Sequence, residues 1–232
     1  MDSNTIRNGQ YNSPFRMSIM RIGDLAKTTG VPVATLKFYL REGLLPAGTP
    51  TAVNQAEYDD VHVRRVKLVR ALLHLGGLSI ADAQRVLAAV DDETMPIHDA
   101  FGVAQDAMVP KLDRSGTRYA DALAEVDRFV RRHQLRVRPG AAVRGMLADA
   151  VVGLAECDLL GEPVTDTCEL FDAMVPAMVE QAEREVATTP HPALRAQQVE
   201  HTVVGTVVFE VAYAALRRMA LEHASAQRWS AP

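Results

Sequence analysis

The chain has 232 residues, of which 48% are apolar, and a formal net charge of −4. That length allows one large domain or two small ones, and the apolar share provides a core and excludes wholesale disorder. The charge is uneven: residues 1–90 carry eleven Lys/Arg against seven Asp/Glu, a net of +4, whereas residues 91–232 carry fourteen against twenty-two, a net of −8. A basic front and an acidic back suit a polyanion-facing domain joined to one with another task. Two cysteines, Cys157 and Cys168, make no disulfide framework and fit a reducing, cytoplasmic setting.

Residues 1–19 are polar, lack the apolar run of a secretory leader, and read as a flexible tail. Met20–Gly30 follows as a short helix in which Ile22, Leu25 and Ala26 share a face and Gly30 is the stop. Val31 makes a turn, and Pro32 is tolerated in the first turn of the next helix because its missing N–H costs nothing there. This second helix, Val33 to Glu42, turns Leu36 and Leu40 inward and offers Ala34, Lys37, Phe38 and Arg41 outward. Two short helices joined by a tight turn make a helix-turn-helix.

Leu45–Tyr58 is rich in Pro, Gly, Thr and Asn and suits a turn-dominated hairpin or wing. A third helix then carries Val66, Val69, Leu72 and Leu73 inward, with Arg64, Arg65, Lys67 and Arg70 on the rest of its surface. Gly76–Gly77 breaks it, and Ser79 caps a fourth helix from Ile80. By periodicity alone, a DNA-reading pair of helices and an ordinary helical hairpin with a solvated charged face fit equally well.

Asp91–Pro96 is the expected domain boundary. In 97–135, Tyr119, Leu123, Val126 and Val130 recur at steps of four, three and four, and the seam extends back to Leu112. This is a short heptad stripe and predicts dimerisation helices. Arg136–Gly140 is a second break. Three helices, about 141–158, 166–187 and 192–226, make residues 140–232 a helical regulatory domain. The last contains Thr202–Leu216, too short an apolar run for a membrane span and interrupted by Glu210. The fold class is therefore all-α with a small wing.

The stretch MRIGDLAKTTGVPVATLKFYLREGLLP, followed by a Tyr58-led helix and RRVKLVRALLHLGGLS, closely resembles the DNA-binding domain of the MerR family of transcriptional regulators over about residues 20–90. The resemblance implies a winged helix-turn-helix carried by a homodimer on palindromic promoter DNA, which it distorts so that RNA polymerase can use the promoter. It places Thr35, Lys37 and Tyr39 in the recognition helix and Arg65, Lys67 and Arg70 on the basic third helix. Two departures bear on the DNA contacts. The wing reads NQAEY, with Ala56 where the family has an arginine, and Ala34 stands where another arginine is usual.

The resemblance does not reach the C-terminal half. Cys157 and Cys168 lack paired Cys-x-x-Cys spacing, and the seven histidines are scattered, so no metal site or cofactor is expected. Glu210, inside an otherwise apolar helix, is costly if buried alone. It reads either as the charged anchor of an effector pocket walled by Phe171, Met174, Met178, Phe209 and Tyr213, or as a solvent-facing or arginine-paired residue. No nucleophile–base pair or phosphate loop is present, so catalysis is not expected. The expectation is a DNA-binding regulator modulated by a small-molecule effector. The alternatives are an effector-free architectural DNA binder, similar to excisionases, and a ligand-binding module with weakened DNA binding.

Overall fold

The computed structural model describes residues 19–53, 55–110, 112, 114–157, 166–188 and 195–229. Apart from Ile19 the expected tail lies outside them, as do the connectors at 158–165 and 189–194. The chain divides into two compact units, residues 1–67 and 68–232. The sequence put the boundary later, at Asp91–Pro96. The difference arises because the fourth helix packs on the fifth and on the last, and so belongs with the C-terminal helices.

In the first unit, α1 (Ile22–Thr29) and α2 (Val33–Arg41) form the helix-turn-helix. Gly30 ends α1 in the left-handed conformation, φ +68°, and its N–H donates to the Ala26 carbonyl. A side chain here would cost about 1–2 kcal/mol, which accounts for glycine at the turn. Leu25, Val31, Leu36, Tyr39, Leu44, Leu45, Tyr58 and Val66 are buried. The Tyr39 carbonyl accepts the N–H groups of Leu44 (2.9 Å) and Leu45 (3.2 Å) and closes the end of α2.

The wing is a two-stranded antiparallel ribbon, β1 (Thr49–Ala52) and β2 (Gln55–Glu57), with Thr49 opposite Glu57 and Pro50 opposite Ala56. Met20 and Tyr58 exchange backbone hydrogen bonds of 2.8 and 2.9 Å, which tie the wing's end to the start of α1. Gly48 lets the chain approach that junction: a Cβ there would lie 2.6 Å from the Glu57 carbonyl oxygen and 3.0 Å from the Tyr58 ring. Gly48→Ala is therefore expected to cost about 1–3 kcal/mol by overpacking, read as a lowered melting temperature. An unchanged melt would show that the wing shifts freely.

α3 (Asp60–Arg70) starts at Asp59, whose carboxylate accepts the N–H groups of Val61 (3.0 Å) and His62 (3.3 Å).

The second unit begins within α3. A π-helical turn, Ala71–Leu75, leads to Gly76, and Ser79 caps α4 (Ile80–Asp91) by accepting the Asp82 N–H at 3.1 Å, as its sequence position suggests. α5 (Ile97–Met108) packs between α4 and α9 (Arg195–Trp229). Val199, Val203 and Val207, four apart, form the buried stripe of α9. By length and composition α9 could cross a membrane, but this stripe is occupied by α4, α5 and the π turn. From Val208 onward α9 runs past those partners and is largely exposed.

α6 (Thr117–Arg132) and α7 (Ala142–Glu156) form an antiparallel hairpin, joined by a 3-10 helix (Thr167–Met174) that leads into α8 (Val175–Ala187). Their cluster contains Ala122, Val126, Phe129, Val130, Ala148, Val151 and Cys168, with Tyr119 and Leu123 packed against it. This corrects the expected dimer seam. The Tyr119–Leu123–Val126–Val130 stripe is covered by α7 of the same chain, and Leu112 is exposed and outside the buried cluster. A heptad stripe reports that a helix has an apolar partner, and α7 is close enough in sequence to be that partner. Arg144 with Asp127 (2.6 Å) and Arg114 with Asp149 (2.9 Å) brace the hairpin. Asp106 of α5 accepts the Ala142 N–H at the start of α7 (3.0 Å).

A candidate nucleic-acid interface

The exposed side of α2 carries Ala34, Lys37 and Arg41, with Thr35 and Phe38 half-buried beside them. The spacing of 34, 37, 38 and 41 is one helical face, and Leu36, fully buried on the other side, fixes which face is offered. Arg41 stacks over Phe38 at 5.3 Å and touches Glu42 at 3.2 Å. That exposed ion pair is weak, so the guanidinium can be transferred to an anion at little cost.

Two sequence expectations are corrected here. Tyr39 is only 2% exposed, because it lies three residues after Leu36 and turns into the core. It supports the recognition helix and presents no surface to DNA. Arg65 is 6% exposed, since it lies between His62 and Val69 on the inner face of α3. Lys67 and Arg70 are exposed and Arg64 is half-buried.

The wing is where the sequence reading missed a residue. Arg21, just before α1, donates from Nη1 to Thr51 Oγ1 at 2.9 Å and lies 4.0 Å from Glu57. A half-exposed guanidinium thus rests on both wing strands beside Ala56, in the region where the family's usual arginine is missing. No local motif signals this, because Arg21 is thirty residues from Thr51 in the chain. Between α2 and the wing runs a groove of about 480 Å³, with Arg21 and Lys37 as its cations and Leu40, Pro50 and Tyr58 among its apolar walls. A protruding helix face, a cationic groove and an adjoining ribbon are the parts with which a winged helix-turn-helix enters a DNA groove and holds the flanking phosphates.

In the second unit a groove of about 990 Å³ lies along α6 and α7, lined by Arg118, Asp121, Glu125, Arg128, Val151 and Glu156 among others. A smaller one of about 540 Å³ shares Arg118, Val152 and Glu156 with it. Arg118 and Glu156 pair across both at 3.1 Å. None of the residues expected around an effector lines either groove. Phe171 packs on the α6–α7 cluster, and Met174 and Met178 are exposed. Phe209 and Tyr213 have ring centroids 6.1 Å apart, and the Tyr213 hydroxyl donates to Glu185 at 2.9 Å. Glu210 is exposed, because α9 has left its packing partners by that point. Its carboxyl is still raised above the ordinary range by partial desolvation.

The first unit therefore defines a winged helix-turn-helix DNA-binding protein. Residues 20–90 match the family described as MerR HTH family regulatory protein. The crystal structure of SCO5550 from Streptomyces coelicolor A3(2), assigned as a transcriptional regulator, aligns over 92% of this chain and 99% of its own, with a TM-score of 0.68 and 32% identity. The nodulation protein NolA of Bradyrhizobium elkanii is 48% identical over 56 residues, 24% of this chain and 26% of NolA. The HTH-type transcriptional regulator ZntR homolog of Haemophilus influenzae is 28% identical over 85 residues, 31% of this chain and 63% of that protein. The match thus spans about a quarter of the length of NolA and nearly all of SCO5550. The chain belongs to the MerR family and is a DNA-binding transcriptional regulator.

Proposed function

We propose that the protein acts in the cytoplasm as a homodimer on palindromic promoter DNA and that a small-molecule effector shifts its DNA-bound geometry, affecting RNA polymerase only through the promoter. The observation that carries the DNA half is the exposed Ala34–Lys37–Phe38–Arg41 face beside a wing held by Arg21. Lys37, Lys67 and Arg70 serve as phosphate contacts, and Phe38 and Thr35 stand at the base edges.

The dimer surface is the second half of α9. Phe209, Ala212, Leu216, Met219 and His223 recur at three and four residues, and Leu216 and Met219 are more than half exposed. Val208, Val211 and Leu221 extend the exposed apolar surface. A stripe of this length and period is what a second helix of the same kind covers. The effector enters the groove along α6 and α7, where charged and apolar walls face each other.

Protection of DNA beside the protein's own gene from nuclease tests the reading. Two protected half-sites about one helical turn apart, roughly 34 Å, are expected. A single site, or uniform coating without sequence preference, would contradict it and favour an architectural role.

A further inference from the structure

At the inner end of the α6–α7 groove, three potential metal-binding side chains converge. Cys168 Sγ and carboxylate oxygens of Glu125 and Asp166 all lie within 4.8 Å of one another. Cys168 is fully buried and Glu125 is only 9% exposed. We propose that these three residues hold a zinc-class divalent cation, with the fourth coordination position open to the groove.

Three independent observations support the site. Glu125 accepts the Cys168 N–H at 2.6 Å, but among the described residues it has no basic side chain within ion-pair distance. A buried carboxylate without a countercharge is expensive, and a cation removes the cost. Asp166 gives Oδ2 to Arg132 at 3.0 Å, while its Oδ1 is buried without a hydrogen-bond partner among the described residues. Such an orphaned acceptor calls for a ligand. Third, a route in exists, because Glu125 and Thr167 both line the 990 Å³ groove.

The donor set selects the metal. One thiolate and two carboxylates are too soft for calcium or magnesium, which take oxygen alone, and too hard for copper(I). Zinc accepts sulfur at about 2.3 Å and carboxylate oxygen at about 2.0–2.2 Å, commonly through three protein ligands and one exchangeable position. Donors around a tetrahedral zinc stand about 3.3–3.7 Å apart, so closure by roughly 1 Å completes the site. On binding, the Cys168 thiol gives its proton to solvent and its sulfur lone pair to the metal. No oxidation change is involved. Sequence spacing hides the site, since Glu125 is more than forty residues from Cys168.

The inference does not depend on the DNA reading, and its test reads the metal directly. Zinc is titrated into the full-length protein against a chromogenic chelator, and cobalt(II) is substituted to report sulfur ligation by its thiolate-to-metal absorption. Wild type is expected to bind one ion per chain with that absorption, and Cys157→Ser is expected to match it. Cys168→Ser should lose the absorption. Glu125→Gln and Asp166→Asn should each weaken zinc by at least about tenfold, the loss that even an outer-sphere partner causes. Circular dichroism identifies any variant that fails to fold, and Asp166→Asn, outside the hydrophobic cluster, serves if Glu125→Gln does. Cobalt binding without thiolate absorption, or equal absorption in Cys168→Ser, overturns the site.

Discussion

Val126→Asp is expected to unfold the α6–α7 hairpin. Val126 is 1% exposed, at the centre of the cluster with Phe129, Ala148 and Val151. An aspartate there is a buried charge without a partner, and such substitutions reach beyond about 4 kcal/mol, a large part of a typical domain's stability. Loss of a cooperative thermal transition, read by circular dichroism, is the expected result. The outcome separates two uses of one stripe. If α6 were the dimer seam, the variant would instead be a folded monomer in sedimentation, and the packing of α7 over the stripe would be refuted.

The opposite behaviour is expected for Leu216→Asp with Met219→Asp. Both side chains are exposed in the single chain, so the charges disturb no core and helix content and melting temperature of the protomer should persist. What they remove is the apolar surface that we propose for the partner copy. Sedimentation should show a monomer. Operator affinity should fall by about 10²–10⁴-fold, because two linked half-site modules become two independent ones. A dimer that survives both charges would place the interface elsewhere.

The two predictions mark where the sequence could be read and where it could not. The helix-turn-helix, the wing, the Gly76–Gly77 break and the Ser79 cap were legible because each rests on local chemistry: a glycine at φ +68°, a hydroxyl at a helix start, a four-residue apolar step. The outward face of α2 was legible for the same reason, once Leu36 was placed inside. Family position sets Tyr39 outward against its periodicity, and charge sets Arg65 among the surface residues of α3, although both side chains are buried. Position 39 follows the buried Leu36 by one turn, and position 65 precedes the buried Val69 by one turn. The heptad on α6 was real, but period alone does not say whether the partner helix is in the same chain. The apolar neighbours of Glu210 leave its sequence open between a pocket anchor and a solvent-facing residue, and the structure shows the second. The length of α9 beyond its packing partners, which exposes it, is a tertiary fact. Arg21 on the wing and the Glu125–Asp166–Cys168 cluster involve residues thirty or more positions apart, and no spacing rule connects them.

The central claim is that the exposed basic residues hold DNA by its phosphates. It is tested most directly by anisotropy titrations of a labelled operator between 50 and 200 mM salt, with wild type, Lys37→Ala and Arg70→Ala. Each phosphate contact contributes about 0.9 to the slope of log affinity against log salt. Each substitution removes one phosphate contact from both protomers of the dimer, so each variant is expected to bind more weakly and with a slope shallower by about two. Affinities and slopes that match wild type in both variants would contradict the account.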